Sequence, residues 1–172
     1  IHPKIRSVEA CYKSSKFATE LAKRTGAKLN VFHISTQMEL DLFENTLPVE
    51  QKKITAEVCA HHLWFTDKDY EKLGSKIKWN PAIKSKSDKD SLWKAIKEDK
   101  IDIIASDHAP HTEIEKENSY FNCPSGGPMV QHTIISLLDE SPKHGVNIEK
   151  VIEKIAHNPA KIFNINKRGF IR

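Results

Sequence analysis

The feature that most constrains the fold of this chain is an alternation of short, largely apolar runs with longer segments of helical periodicity. The runs are residues 29–33, 53–60 and 101–105, and helical patterns lie between and after them. Strands that are largely apolar favour a parallel sheet covered by helices on both faces. The sequence therefore predicts an α/β protein, either a (β/α)8 barrel or a doubly wound sheet, with ligands bound beyond the carboxyl ends of the strands.

Capping residues mark the ends of the predicted helices. Residues 7–24 form a predicted helix that stops at Gly26. Thr36 and Glu39 form a capping box for a second predicted helix over 36–44. The later predicted segments are a short helix or turn over 66–73, an extended stretch over 76–79, an amphipathic helix over 88–98, a long loop over 112–128, and helices over 130–138, after Asn147 and from Pro159.

Composition narrows the class of protein. Of the 172 residues, 38% are hydrophobic, which suffices for the core of one domain. The formal net charge of +4 is spread along the chain, so we expect no nucleic-acid partner. The apolar runs are too short to span a bilayer and no leader opens the chain, so we expect no membrane partner. Three widely spaced cysteines predict a reducing, cytoplasmic setting.

Residues suited to metal binding or proton transfer follow each predicted strand. They are, in chain order, His33, then His61 and His62, then Asp107, His108 and His111. A single histidine at a strand end more often packs or caps a helix than binds a metal. Three such strand ends in series favour metal-assisted hydrolysis, because imidazole and carboxylate groups bind Zn²⁺ and an aspartate can also accept a proton from water. The alternative is a metal-free α/β domain whose histidines pack or cap helices.

Four segments of the chain resemble those of the dihydroorotases, a branch of the cyclic amidohydrolases. They are Phe-His-Ile-Ser-Thr at 32–36, Ala-Glu-Val-Cys-Ala-His-His-Leu at 56–63, Lys-Trp-Asn-Pro-Ala-Ile-Lys at 78–84 and Ile-Ala-Ser-Asp-His-Ala-Pro-His at 104–111. Their order and rough spacing agree with the family over nearly the whole chain. The Asp-His-Ala-Pro-His run is among the most selective, because hydantoinases and allantoinases usually carry other residues after the Asp-His pair.

The resemblance implies that residues 1–172 form the C-terminal part of a (β/α)8 barrel, about strands 6 to 8 with their helices, incomplete in this chain. It places the start of a return to a small β-sandwich at residues 168–172. It also implies a binuclear metal centre, usually of zinc, with two ions in a complete active site. The other ligands, an H-x-H pair, a bridging carboxylate and a further histidine, would precede Ile1.

Roles for individual residues also follow from the resemblance. His33 and Asp107 would bind metal, and Asp107 would be the general acid and base that interconverts dihydroorotate and N-carbamoyl-L-aspartate in pyrimidine biosynthesis. The implied substrate contacts are Asn80, His111, Gly126 and Gly127. The run Ser-Gly-Gly-Pro at 125–128 departs from the family's F-G-x-x-G form, which leaves the two glycine assignments open. The histidines interpreted as supporting, packing or surface residues include His2, His61, His62 and His108.

Two rival functions stay open at this point. One is a related hydrolase, namely a hydantoinase, dihydropyrimidinase or allantoinase, against which His111 argues. The other is a non-catalytic, dihydroorotase-like assembly partner, against which the intact His33 and Asp107 argue. The partner we expect is a small-molecule substrate, and the oligomeric state is left open, a homo-oligomer included.

We predict little or no dihydroorotase activity from this polypeptide on its own, because part of the implied ligand set is absent from its sequence. An assay of the purified chain with dihydroorotate and added Zn²⁺ checks this, with a complete dihydroorotase as the positive control. Turnover at the rate of the positive control would contradict the prediction.

Overall fold

One parallel sheet lies at the centre of the computed structural model, which describes residues 1–171. Its strands are β1 (Leu29–Val31), β2 (Ile54–Cys59) and β3 (Ile103–Ala105), in the order β1-β2-β3. Leu29 lies opposite Ile54 and Glu57 lies opposite Ile103, so β2 is paired on both sides. The predicted parallel α/β arrangement is confirmed.

Helices connect and cover the strands. The α-helices are α1 (His2–Ile5), α2 (Val8–Thr25), α3 (Ala60–Trp64), α4 (Tyr70–Leu73), α5 (Lys86–Lys97), α6 (Glu113–Lys116), α7 (Val130–Glu140), α8 (Ile148–Ile152) and α9 (Asn158–Ile162). The 3-10 helices are Gln37–Leu42, Val49–Gln51, Asp67–Asp69, Gly74–Ile77 and Ser141–His144, and Glu153–His157 is a π-helix. Among residues 1–171, none of these helices combines the length and apolar character that crossing a membrane requires.

Local capping explains where the longest helices begin and end. The Ser7 hydroxyl accepts a hydrogen bond from the first turn of α2, and α2 ends at Gly26, whose φ of 71° lies in the left-handed region. The Ser85 hydroxyl accepts a hydrogen bond from the Asp88 N–H. This cap explains why α5 begins at Lys86 rather than at the predicted residue 88.

Three predicted elements are clearly shorter than the sequence pattern indicates, and one of them is the strand predicted over 101–105, which covers Ile103–Ala105. The strand predicted over residues 29–33 ends at Val31, and the positive φ of 61° at His33 takes the backbone out of the extended region. Among residues 1–171 this strand is paired on one side, by β2, and it is half-buried rather than buried. The helix predicted over 36–44 keeps its capping box but is a 3-10 helix that ends at Leu42.

Two segments predicted to lack helix contain one. The stretch 76–79, predicted to be extended, begins within a 3-10 helix that ends at Ile77. The loop predicted over 112–128 contains α6, because the Thr112 hydroxyl and the Glu115 carboxylate form a capping box. Short-range side-chain capping thus adds a helix turn where the apolar pattern shows none.

The end of the chain leaves one prediction untested. Residues 168–171 form neither helix nor strand, and Arg172 lies outside the described residues. The start of a small β-sandwich at 168–172 therefore stays a prediction.

The main apolar core joins α5 to the sheet. The predicted apolar face of α5 supplies Leu92, Trp93 and Ile96, each of which is at most 1% exposed. The Trp93 Nε1–H donates to the Leu63 carbonyl at 3.0 Å, so this polar group is satisfied in the interior. Other members of this core are Ile34, Val58, Ile101, Leu137 and Val151. The helix therefore shares this core with β2 through Val58, and its direct neighbours are α3 and the 3-10 helices Gln37–Leu42 and Ser141–His144.

A buried ion pair ties the amino ends of β2 and β3 together. The Lys52 ammonium lies 2.7 Å from one Asp102 carboxylate oxygen, and both side chains are 2% exposed. The other Asp102 oxygen accepts a hydrogen bond from the Ala56 N–H at 3.0 Å. Because breaking a buried pair leaves an uncompensated charge, the two residues have to stay together. This pair therefore restricts how far the two strands can separate at that end.

We predict that Leu92→Ala lowers the free energy of unfolding by about 2–5 kcal/mol, since it removes a buried side chain and leaves a cavity. Denaturant unfolding followed by circular dichroism measures the change. Lys94→Ala on the same helix is the control, because the Lys94 side chain is 74% exposed and its loss should cost less than about 0.5 kcal/mol. Equal effects of the two substitutions would contradict the assignment of this face to the core.

Candidate functional site

The carboxyl ends of the three strands bring four polar side chains together. The His33 Nε2 lies 3.7 Å from the Asp107 Oδ1. The His33 Nδ1 lies 2.9 Å from the Cys59 Sγ and 3.4 Å from the Glu57 Oε1. His33 follows β1, Glu57 and Cys59 lie on β2, and Asp107 follows β3. The structure thus places two side chains predicted to bind metal, His33 and Asp107, next to each other.

Both of these residues adopt a backbone conformation that is uncommon outside glycine. The φ angle is 61° at His33 and 46° at Asp107. The Ile34 N–H donates to the Glu57 carbonyl at 2.7 Å, so the backbone rejoins β2 directly after His33. A left-handed residue costs roughly 1–2 kcal/mol, and such residues cluster at active sites and ligand clamps. Two of them, one after β1 and one after β3 at the same edge of the sheet, support a functional role for this pair.

Nearby carboxylates and burial set the protonation of these groups. The Glu57 carboxylate, 3.4 Å from the Nδ1, raises the pKa of His33, and the Asp107 charge adds to this rise, while burial opposes it. Burial raises the pKa of the Cys59 thiol well above its usual value, and the charges of Glu57 and Asp107 act in the same direction. The site therefore combines carboxylates and an imidazole with a thiol that stays protonated near neutral pH.

The donor atoms fit a divalent metal ion. His33 and Asp107 present an imidazole nitrogen and a carboxylate oxygen to each other, and both are donors that Zn²⁺ accepts. Two groups of three residues in the described part of the chain also hold their ligand atoms within 4.8 Å of one another. These groups are His33 with Glu57 and Cys59, and Cys59 with His61 and His62. The site thus has more ligating atoms than the sequence motifs alone indicate.

Glu57 and Cys59 are site residues that the motifs do not single out. They lie two positions apart on β2, so their side chains point to the same face of the sheet. Val58, between them, points into the apolar core on the other face. This alternation is the signal in the sequence that could have placed both residues beside His33.

His61 and His62 lie inside the protein, on α3 directly after β2. The His61 ring stacks on Trp79, with a centroid distance of 4.4 Å and an interplanar angle of 9°. Within residues 1–171, neither ring nitrogen of His61 has a hydrogen-bond partner. The His62 Nε2–H donates to the Pro81 carbonyl at 3.1 Å. Burial lowers the pKa of both histidines, that of His62 to about 3, so both rings are neutral near pH 7.

Two further histidines hold backbone segments around the site. The His108 Nδ1 accepts a hydrogen bond from the Val130 N–H at 3.1 Å, at the start of α7. His2 is 4% exposed, and its Nε2 lies 2.6 Å from the Trp79 carbonyl. Its Nδ1 lies 2.8 Å from the Tyr120 hydroxyl. The sequence left open whether His2 packs in the interior or lies on the surface, and the structure shows that it packs in the interior.

The predicted substrate contacts Asn80 and His111 differ in their surroundings. Asn80 borders the same cleft as His33, with a volume of about 370 Å³, and its Nδ2 donates to the Ser125 Oγ at 3.1 Å. His111 is half-buried, and its Nδ1 lies 3.8 Å from the Glu115 carboxylate. The structure therefore brings Asn80 to the cleft of His33 and leaves His111 paired with Glu115.

The loop that contains Gly126 and Gly127 lies so close to Trp79 and to the segment after β3 that a side chain at either position would clash. Gly127 and His108 form a parallel bridge, and the Ala109 N–H donates to the Gly127 carbonyl at 3.2 Å. At Gly126, φ is 125° and a Cβ would lie 2.6 Å from the Ala109 carbonyl oxygen. At Gly127, a Cβ would lie 2.5 Å from the Trp79 ring. Both positions require glycine for packing alone, whatever the loop binds.

Lysine ammonium groups hold this loop through backbone carbonyls. Lys116 is 6% exposed and donates to the carbonyls of Lys78, Pro124 and Gly126 at 3.3, 3.0 and 2.9 Å. The Lys78 ammonium donates to two further loop carbonyls, at 2.7 and 2.5 Å. Burial lowers the pKa of Lys116. These contacts position the Gly126 segment beside the end of β3.

Comparison with known sequences relates this arrangement to a family. Residues 27–172 match the sequence profile of the amidohydrolase family. A dihydroorotase of Clostridioides difficile is 34% identical over 154 residues, which cover 88% of this chain and 36% of that protein. An allantoinase of Bacillus velezensis is 32% identical over 170 residues, which cover 95% of this chain and 36% of that protein. The chain thus spans about a third of the length of these curated relatives.

Solved structures share the fold. A D-hydantoinase from Bacillus sp. AR9 superimposes with a TM-score of 0.86 at 19% identity, covering 99% of this chain and 39% of that chain. A dihydroorotase from Saccharomyces cerevisiae, in complex with 5-fluoroorotic acid, gives 0.79 at 19% identity, covering 89% and 43%. At this identity the likeness shows the fold alone, which is that of part of a (β/α)8 barrel.

We predict that acid destabilises the fold through His62. Its folded pKa of about 3 lies below the ordinary value of 6.5, so this contribution to stability is complete above about pH 6.5 and is lost as the pH falls towards 3. The loss between pH 7 and pH 4 is roughly 3 kcal/mol. His62→Gln can keep donating to Pro81 without titrating, so it should make the pH dependence of the unfolding free energy shallower, while the buried His61 keeps its own contribution.

Denaturant unfolding at a series of pH values measures this dependence. His132→Gln is the matched control, because His132 is exposed and should leave the wild-type slope unchanged. A wild-type slope in His62→Gln would show that other groups account for the acid sensitivity.

Proposed function

Because this chain belongs to the amidohydrolase family, we propose that the protein containing it is a metal-dependent hydrolase of cyclic amides. Its proposed reaction interconverts dihydroorotate and N-carbamoyl-L-aspartate, as in pyrimidine biosynthesis. The observation that carries this proposal is the His33–Asp107 pair, 3.7 Å apart at the ends of two barrel strands. The Asp-His-Ala-Pro-His run at 107–111 and the dihydroorotase relatives favour this reaction over other ring hydrolyses.

His33 and Asp107 are the residues of this chain that we propose hold metal, with two Zn²⁺ ions in a complete active site. An imidazole nitrogen and a carboxylate oxygen are suitable donors, and both side chains are 25% exposed and so open to a ligand. When bound, such ions polarise an amide carbonyl and lower the pKa of a water molecule.

Asp107 is the proposed proton carrier. Its carboxylate accepts a proton from the attacking water and delivers that proton to the ring nitrogen as the C–N bond breaks. In ring closure the same carboxylate takes the proton from nitrogen and returns it to the departing water. The left-handed backbone at Asp107, with φ of 46°, holds the side chain at the strand end, where it meets His33.

The proposed substrate contacts are Asn80, His111, Gly126 and Gly127. Asn80 borders the cleft beside His33, and its amide group can donate to a carboxylate or carbonyl of the substrate. The two glycines bring peptide groups close to the segment that follows β3. His111 would have to exchange its Glu115 contact for the substrate carboxylate.

A hydantoinase or allantoinase reaction is the second candidate, because an allantoinase is among the sequence relatives and hydantoinases share the fold. A substrate panel of dihydroorotate, hydantoin, dihydrouracil and allantoin, given to the intact protein, separates the two. The proposal expects the highest kcat/KM for dihydroorotate. A preference for any of the other rings would favour the second candidate.

We predict that Asp107→Asn in the intact protein lowers kcat by roughly 10²–10⁴, because the amide cannot carry the proton. Formation of N-carbamoyl-L-aspartate from dihydroorotate measures the loss, and circular dichroism verifies that the fold persists. Asp41→Asn is the control, because the Asp41 side chain is 89% exposed and lies outside the site. Wild-type turnover in a folded Asp107→Asn protein would rule out the assigned role.

A further inference from the structure

We propose that Glu57 is a positioning residue for His33, and that its carboxylate accepts the Nδ1–H so that the Nε2 lone pair faces Asp107. The inference rests on the proposed function, since it takes His33 as a metal ligand. It adds a residue of β2 to a site whose proposed ligands follow β1 and β3.

Glu57 holds His33 and its neighbour at two points. The Glu57 Oε1 lies 3.4 Å from the His33 Nδ1, and the Glu57 carbonyl accepts the Ile34 N–H at 2.7 Å. One residue of β2 therefore contacts both the imidazole ring and the backbone that follows it. This double contact is suited to holding a ring whose own backbone is in the left-handed region.

The Glu57 carboxylate has no other charged partner in the part of the chain that the structure describes. Its side chain is 9% exposed, and among residues 1–171 no lysine or arginine nitrogen lies within 4.0 Å of it. Burying a carboxylate is costly unless it is paired and hydrogen-bonded. The His33 imidazole is the partner that the fold supplies, so the carboxylate and the ring orientation depend on each other.

The contact selects one tautomer of the ring. A neutral imidazole carries one N–H, and a carboxylate at Nδ1 favours the proton there, which leaves Nε2 free to bind a metal. Histidine ligands of metals commonly donate their second N–H to a carboxylate or carbonyl in this way. Here the Nε2 is the nitrogen that faces Asp107, at 3.7 Å.

Cys59 is the competing neighbour of the same nitrogen. Its Sγ lies 2.9 Å from the His33 Nδ1, and a thiol that donated there would favour the opposite tautomer, with the proton on Nε2. A thiol is a weak donor, whereas an ionised carboxylate is a strong acceptor. We therefore assign the positioning role to Glu57 rather than to Cys59.

Metal titrations of the intact protein, stripped of metal and refilled with Zn²⁺, test the inference. Glu57→Gln keeps the size of the side chain and a weaker acceptor, and Glu57→Ala removes the acceptor. We expect Zn²⁺ affinity to fall about 10-fold in Glu57→Gln and about 100-fold in Glu57→Ala. Asp88→Asn is the matched control, because Asp88 is a buried carboxylate that caps α5 and should leave the affinity unchanged.

Nitrogen-15 NMR of the metal-free protein gives a second readout, which a merely structural role would not change. At a pH where the ring is neutral, the wild-type ring of His33 should carry its proton on Nδ1, and both Glu57 variants should shift the population towards the Nε2–H form. Cys59→Ala should retain the wild-type tautomer, since the carboxylate is still present.

Distinct outcomes separate this inference from the proposed function. If His33→Ala keeps the wild-type Zn²⁺ content, the metal role of His33 is wrong and the inference falls with it. If His33→Ala loses Zn²⁺ while Glu57→Gln and Glu57→Ala bind as wild type, only the role of Glu57 is wrong. A shifted tautomer in Cys59→Ala together with the wild-type tautomer in Glu57→Gln would also overturn it. Should Glu57→Ala not fold, Glu57→Gln decides the question.

Discussion

The parallel pairing of β2 with β1 on one side and β3 on the other is the interaction on which the candidate site depends. Parallel strands share one direction, so all three carboxyl ends emerge at the same edge of the sheet. The register sets which side chains meet there, with Glu57 opposite Ile103. A slip of one residue would turn Glu57 and Cys59 into the apolar core and bring Val58 to the site.

Buried charged side chains lie near both ends of the strands, and each is paired with an opposite charge or hydrogen-bonded to backbone carbonyls. The Lys52–Asp102 pair joins the amino ends of β2 and β3, and the Lys116 ammonium binds loop carbonyls beside the carboxyl end of β3. Each buried charge restricts the elements it joins, because separation would leave it unpaired away from water. The site thus lies between two restrained regions, which suits groups that must keep a fixed geometry.

The chemistry proposed for the site follows from this geometry. His33 and Asp107 come from different strand ends, and both hold a left-handed backbone conformation that local sequence does not favour. The surrounding contacts, among them the Glu57 carbonyl bound to the Ile34 N–H, maintain that conformation. A barrel edge that orients an imidazole and a carboxylate towards each other is suited to divalent metals and to proton transfer.

Much of this architecture could be read from local chemistry along the chain. The Ser7 and Thr36 caps, the β-branched run of β2 and the apolar face of α5 are properties of neighbouring residues, and the structure retains them. Sequence patterns also identified His33 and Asp107 as site residues. Each lies in a short motif after a predicted strand, and such a motif can be recognised without knowing its three-dimensional contacts. The sequence did not predict that Gln37–Leu42 is a 3-10 helix rather than an α-helix. A capping box marks the residue at which a helix begins, but it does not determine the hydrogen-bond pattern of the turns that follow.

Contacts between residues far apart in the sequence could be identified only from the tertiary structure. Glu57 meets the His33 ring, and Gly126 approaches the Ala109 carbonyl, only because strand register and loop docking bring those segments together. No local pattern encodes such a distance, since it depends on every element that packs between the two residues. The alternation of strands and helices thus defined the fold class and which strand ends to inspect, and packing across the sheet defined which atoms meet there.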